Sequence, residues 1–246
     1  MPSPNGTPVL AAIGARKRFG AHVVLHDVDF AVGAGEAVGI VGPNGAGKTT
    51  LLNVLAGSLQ PNRGAVRFSD SDVTAAKAAQ RCRLGIARVH QVPRPFGGMT
   101  VFENVLVAAA TGGGSRGRQA HERCIEALEL CGLLLSANRR GETLGLLDRK
   151  RLELARALAT GPVVLLLDEI GAGLTDAEAA ELVQTIRALR GREIAIVWIE
   201  HIVHVLVQVV TRLVCMDAGR VIADGEPDEV MANAAVIDAY LGSAAR

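Results

Sequence analysis

Short apolar runs alternate with longer stretches of helical period along this chain. Residues 37–41 form an apolar run that ends at Gly42, and residues 49–56 carry Leu51, Leu52 and Leu55 at helical spacing before Gly57. That pattern predicts a strand, a glycine-rich turn and a helix stopped by glycine. Residues 64–68 predict another strand, residues 74–83 a helix, and residues 85–89 a strand running into Gln91 and the break Pro93-Arg94-Pro95. From Val101 to about Leu158 the period is helical, interrupted by Thr111-Gly112-Gly113-Gly114-Ser115, whose composition predicts a flexible surface loop. Residues 163–167 are continuously apolar, the look of a strand buried on both faces of a parallel sheet, and Asp168 and Glu169 follow at its C-terminal end. Thr175 and Glu178 spell a capping box. The helix it opens puts Ala179, Leu182, Val183, Ile186 and Leu189 on one face, closes at Gly191 and leads to a strand at 194–199. A hairpin of residues 213–216 and 220–223, turning through Asp217-Ala218-Gly219, and two short helices finish the chain.

Strands alternating with helices indicate an α/β protein, and the middle stretch reads as an all-helical insert. A chain of 246 residues with 49% hydrophobic content supports one sizeable core plus such an insert. Its 26 Lys+Arg nearly cancel 25 Asp+Glu, so no strong field favours nucleic acid, and none is expected as a partner. Four cysteines without metal-ligand spacing read as reduced thiols of a cytoplasmic protein. Residues 1–10 are Pro- and Gly-rich, with the cluster Arg16-Lys17-Arg18 after the only short apolar stretch, so they do not read as a signal peptide. The apolar segments 163–167 and 202–210 fall well short of the ~20 residues a membrane-spanning helix needs.

The turn after the first apolar run is Gly42-Pro43-Asn44-Gly45-Ala46-Gly47-Lys48-Thr49. Glycines at these places let successive backbone N–H groups and a positive helix end surround phosphate oxygens. Lys48 supplies a point charge to the β- and γ-phosphates, and the Thr49 hydroxyl is placed to ligate Mg²⁺. ATP and Mg²⁺ are therefore the expected ligands. Asp168, at the end of an apolar strand, suits a carboxylate that holds Mg²⁺ mostly through water, and Glu169 can reach an attacking water; the plain alternative for Glu169 is a solvated strand-end acid. His201, just past the strand at 194–199, is placed to meet the γ-phosphate or to serve structurally. The run from Arg81 to Arg94, with four arginines, reads either as a solvated face or as lying near a groove for a membrane partner.

Taken together, residues 42–50 including Thr50, Gln91, the run Leu165-Leu166-Leu167-Asp168-Glu169, and Ile199-Glu200-His201 resemble the nucleotide-binding subunit of ABC transporters, over nearly the whole chain. Arg94-Pro95-Phe96, Met99 to Val105, Arg149 to Ala157, Ala172-Gly173-Leu174 and Val236 to Gly242 resemble the branched-chain amino acid type. The resemblance implies a phosphate-loop NTPase core with an antiparallel β subdomain (residues 1–92 and 159–246) and a helical subdomain (93–158). It implies Gln91 as sensor and metal contact, His201 as switch histidine, and Phe19 stacked on adenine rather than buried in the core. It also implies two membrane permease subunits, a second ATPase and an extracytoplasmic solute-binding protein, with this chain cytoplasmic and peripheral on the inner membrane face. Where the family has Leu-Ser-Gly-Gly-Gln, which caps the γ-phosphate held by the opposite subunit, this chain has Leu144-Gly145-Leu146-Leu147-Asp148, and Thr175 stands where an aspartate usually ends the loop after Glu169. The expected function is ATP hydrolysis in an importer for branched-chain or related amino acids, with a heterodimer favoured. The alternatives are a soluble ABC ATPase without a transporter, and a mainly structural nucleotide-binding subunit beside a more active partner.

Overall fold

The computed structural model describes residues 7–189 and 191–244; residues 1–6, part of the segment read above as no signal peptide, lie outside the described residues. In chain order the strands are β1 (Leu10–Phe19), β2 (His22–Val32), β3 (Ala37–Val41), β4 (Arg63–Phe68), β5 (Ser71–Asp72), β6 (Ile86–Val89), β7 (Val164–Asp168), β8 (Ala195–Ile199), β9 (Arg212–Asp217) and β10 (Arg220–Gly225). The helices are α1 (Lys48–Ala56), α2 (Ala78–Leu84), α3 (Val101–Thr111), α4 (Gly117–Leu130), α5 (Leu146–Ala159), α6 (Asp176–Arg187), α7 (Val203–Leu206), α8 (Pro227–Met231) and α9 (Ala234–Ala244). The chain divides into two units, one of Met1–Ala78 with Ala195–Arg246 and one of Ala79–Ile194.

In the first unit β3 pairs in parallel with β8 on one side and β9 on the other, and β10 extends the sheet antiparallel to β9. All residues of β3 and β8 are buried, which is why their sequences are apolar without alternation. The hairpin expected at 213–223 is β9–β10. Ala218 and Gly219 both take positive φ, the conformation a two-residue hairpin turn requires. A second, antiparallel sheet runs in the order β2-β1-β4-β5. Periodicity alone did not reveal β1, because its pairing with β2 slips between Ala12 and Ala15, so the buried Leu10, Ala12 and Ala15 do not keep a period of two.

The helix expected at 74–83 begins only at Ala78. Thr74 Oγ1 accepts from the Val66 N–H, and the Thr74 N–H donates to Asp72 Oδ1, so these side chains stabilise a turn in place of a first helical turn.

In the second unit β6 and β7 pair in parallel, with Ile86 opposite Val164 and Val89 opposite Leu167. Helices α3, α4 and α5 pack on one another through buried Val105, Ala109, Cys124, Leu128, Leu152 and Ala155. The capping box at Thr175 and Glu178 is formed and opens α6, which ends at Arg187, short of Gly191. The glycine-rich stretch 111–115 is packed in part, with Thr111 and Gly114 exposed. Ser115 is buried, and a Cβ on Gly113 would meet the carbonyl oxygens of Ala109, Ala159 and Thr160 within 2.8–3.1 Å, so Gly113 serves close approach, whereas Gly114 takes φ +64 in open space. The arginines from 81 to 94 are a solvated face only in part, with Arg83 and Arg94 exposed. Arg81 is fully buried, and Arg88 pairs with Asp168.

Candidate functional site

The phosphate loop leaves the C-terminal end of β3. Gly42 has φ +139, and a Cβ there would lie 2.0 Å from the Met216 carbonyl oxygen, so no other residue fits. Gly45 and Gly47 also take positive φ, and α1 starts at Lys48. The N–H groups of that first turn have no acceptor inside the helix and sit at its positive end, which makes the loop an anion site. The hairpin turn supports it from below through a hydrogen bond from the Gly219 N–H to the Ala46 carbonyl (3.0 Å).

Lys48 is 5% exposed and folds its ammonium over the loop, donating to the Gly42 (2.6 Å) and Pro43 (2.9 Å) carbonyls. Asn44, Gly45 and Thr49 face solvent, while Ala46 and Gly47 are buried. On its other side the Gly42 N–H donates to Tyr240 Oη from α9 (2.9 Å). Burial raises the Tyr240 pKa, so the phenol stays neutral. Sequence reading gave this tyrosine no role. Tyr240→Phe removes the acceptor and is expected to weaken nucleotide binding about five-fold, the worth of one net hydrogen bond. A fluorescent-ADP titration checks this, and an unchanged dissociation constant would show that the loop keeps its shape without the tail.

Phe19 ends β1 with its side chain 49% exposed and Lys17 Nζ 5.3 Å from the ring centroid. It is an exposed ring, not a core phenylalanine. His201 is exposed two residues beyond β8. Its neighbour Glu200 is buried and accepts from Trp198 Nε1 (3.2 Å).

In the second unit Asp168 is the last residue of β7 and is buried. Arg88 of β6 donates to its Oδ2 at 2.6 Å. Glu169 has φ +47, a conformation non-glycine residues adopt at a cost of order 1 kcal/mol, and its Oε2 accepts from Gln91 Nε2 (2.7 Å). The unit thus brings Gln91 and Glu169 together and pairs Asp168 with Arg88, to which sequence reading gave no role. The available signal was a lone arginine inside the apolar strand Ile86–Val89.

The Gln91 loop is anchored from α5. The buried Lys150 donates to the Gln91 carbonyl (3.2 Å), and Glu153 accepts from the Arg94 N–H (2.8 Å) and from Arg156 (2.7 Å). A cleft of about 410 Å³ is lined here by His90, Gln91, Arg94, Glu153, Arg156 and Asp168. Burial, then the Arg88 charge, lower the His90 pKa, leaving this ring neutral at pH 7.

The segment 144–148 begins α5. Leu144 is buried, Gly145 is the N-cap with no side-chain capping bond, and Leu146 is exposed. Arg149 folds back to donate to the Leu144 (2.8 Å) and Glu142 (2.9 Å) carbonyls, and Asp148 Oδ1 accepts from Arg151 (3.4 Å). The segment offers a helix N-terminus without a hydroxyl.

The family model described as "ABC transporter" matches residues 25–172. A second, described as "Branched-chain amino acid ATP-binding cassette transporter", matches residues 220–246. The chain is 36% identical to the high-affinity branched-chain amino acid transport ATP-binding protein LivG of Salmonella typhimurium, over 96% of this chain and 99% of that protein. It is 34% identical to BraF of Pseudomonas aeruginosa, again over 96% and 99%. This chain belongs to the ABC transporter family.

Among solved structures, an ABC transporter cassette in its ADP conformation superposes with a TM-score of 0.88 at 30% identity, covering 96% of this chain and 100% of that one. A nucleotide-free cassette gives 0.87 at 29%, covering 95% and 98%. The fold is thus the α/β phosphate-loop NTPase expected from the sequence, and this ABC subunit is a nucleotide-binding ATPase of the kind that works with membrane permease components. Its relatives are transport proteins, which disfavours a soluble ABC ATPase without a transporter. Among the described residues no helix is long and apolar enough to cross a membrane.

Taken unit by unit, the donors suit phosphate in the first and a hard cation in the second. A helix N-terminus with a folded-back lysine offers phosphate contacts, and the Asp168 carboxylate lies at a strand end. Among the described residues no three His, Cys, Asp or Glu side chains gather as a metal cage.

Proposed function

We propose that this chain is the ATP-hydrolysing subunit of an importer for branched-chain or related amino acids, peripheral on the cytoplasmic face of the membrane. The observation that carries the ATPase chemistry is the glycine loop leading into α1 with Lys48 folded over it. The likeness to LivG and BraF and the match over residues 220–246 support the solute class. Two permease subunits, a second ATPase and an extracytoplasmic binding protein complete the assembly, with the helical residues 93–158 as the subdomain that answers to the permease.

The loop residues 42–50 and Lys48 hold the phosphates, and Phe19 stacks on the adenine. Thr49, Asp168 and Gln91 would hold Mg²⁺, which when bound would neutralise phosphate charge. Glu169 accepts a proton from the attacking water while Gln91, now bonded to it, orients that carboxylate. His201 contacts the γ-phosphate side of the site. Residues 144–148 face the nucleotide of the second ATPase. Co-expression with the permease tests the reading. The complex is expected to copurify from detergent with its ATP turnover raised by the loaded binding protein; a chain that never associates with a membrane protein would contradict it.

A further inference from the structure

Arg88 is the only charged residue of β6, and in the ladder it stands opposite Leu166 rather than Asp168. Its side chain therefore reaches two residues along the neighbouring strand to place Nη2 2.6 Å from Asp168 Oδ2, with the two side chains 11% and 7% exposed. Three residues later Gln91 grips Glu169 (2.7 Å). One short segment thus holds both strand-end acids.

A carboxylate this deeply buried is costly unless a cation compensates it. In the structure that cation is Arg88. We propose that Arg88 is a tethered stand-in for the metal, a positioning residue that neutralises Asp168 in the resting protein and competes with Mg²⁺ for it. The inference rests on the reading of Asp168 as the metal-holding carboxylate. Metal binding then draws Asp168 away from Arg88, and because Arg88 and Gln91 belong to one segment, metal loading is linked to the Gln91–Glu169 contact. Arginine suits the task because it stays charged at every working pH and keeps its fork on the carboxylate.

The test uses the full chain with fluorescent ADP at fixed concentration, titrated with Mg²⁺, and thermal midpoints in EDTA and in Mg-ADP. Arg88→Gln is expected to lower the half-saturating Mg²⁺ about ten-fold, the scale of one lost charge-assisted bond. It should also lower the midpoint in EDTA and restore most of that loss in Mg-ADP. If Arg88→Gln does not fold, Arg88→Lys carries the test, with a shift in the same direction of about three-fold. A half-saturating Mg²⁺ that stays the same would make the pair structural only, and one that rises would make Arg88 a helper of metal binding; either overturns the proposal. Asp168→Asn separates the two layers: an Mg²⁺ dependence unchanged by that substitution would overturn the reading of Asp168 itself, and the competition with it.

Discussion

Lys48→Ala is expected to remove most of the affinity for Mg-ATP. The ammonium donates to two loop carbonyls, contacts that poise it beside the N-terminus of α1. In the role proposed for it, it meets phosphate oxygens when nucleotide binds. A charge-assisted bond of this kind is worth roughly 2 kcal/mol, and losing two of them weakens binding about a thousand-fold. Truncation exposes only loop carbonyls to water, so the fold should survive. Calorimetric titration of Mg-ATP into both proteins, with circular dichroism as the check on folding, decides the matter. Equal affinities would refute the role given to this lysine.

Glu169→Gln is expected to keep nucleotide binding and to slow turnover by about a hundred-fold or more, the usual scale for a positioned general base. The carboxylate is fixed by Gln91 (2.7 Å) on a backbone of φ +47, so the amide should occupy the same place without accepting the proton. ATP-bound dimer should then accumulate on size-exclusion chromatography. A mutant in the assembled transporter with wild-type turnover would show that Glu169 is not the base.

The same substitution probes subunit asymmetry. Gly145 caps α5 without a side chain, so this chain offers no hydroxyl to its partner's nucleotide, and one donor to developing charge is worth ~3 kcal/mol. In a homodimer both composite sites lose it. In the heterodimer we favour, Lys48 and Glu169 of this chain face an ordinary signature segment on the second ATPase, and Glu169→Gln here costs more activity than its counterpart there. Equal losses would argue against that asymmetry.

Much of this was legible before any coordinates. Glycines at 42, 45 and 47 and the lysine after them are a local pattern, and local patterns survive folding because the backbone itself demands them. The buried strand at 163–167 and the Thr175 capping box were equally plain. What escaped depended on distant partners. Tyr240 meets Gly42 across 198 residues, Arg88 meets Asp168 across 80, and no spacing rule links such pairs. Buried Arg81 shows the converse error, since a charged residue in a run of arginines looks solvated until packing encloses it. The glycine-rich stretch 111–115 misled for a similar reason. Glycine signals either freedom or close approach, and only the carbonyls around Gly113 decide between them.

The central claim is that ATP hydrolysed at the Lys48 loop of this chain drives solute uptake. The most direct measurement is ATP-dependent entry of labelled leucine into proteoliposomes that contain the permease, this chain, its partner ATPase and the binding protein. Uptake is expected with the wild-type chain and loss of it with Lys48→Ala or Glu169→Gln. Uptake that persists at the wild-type rate with both variants would contradict the account.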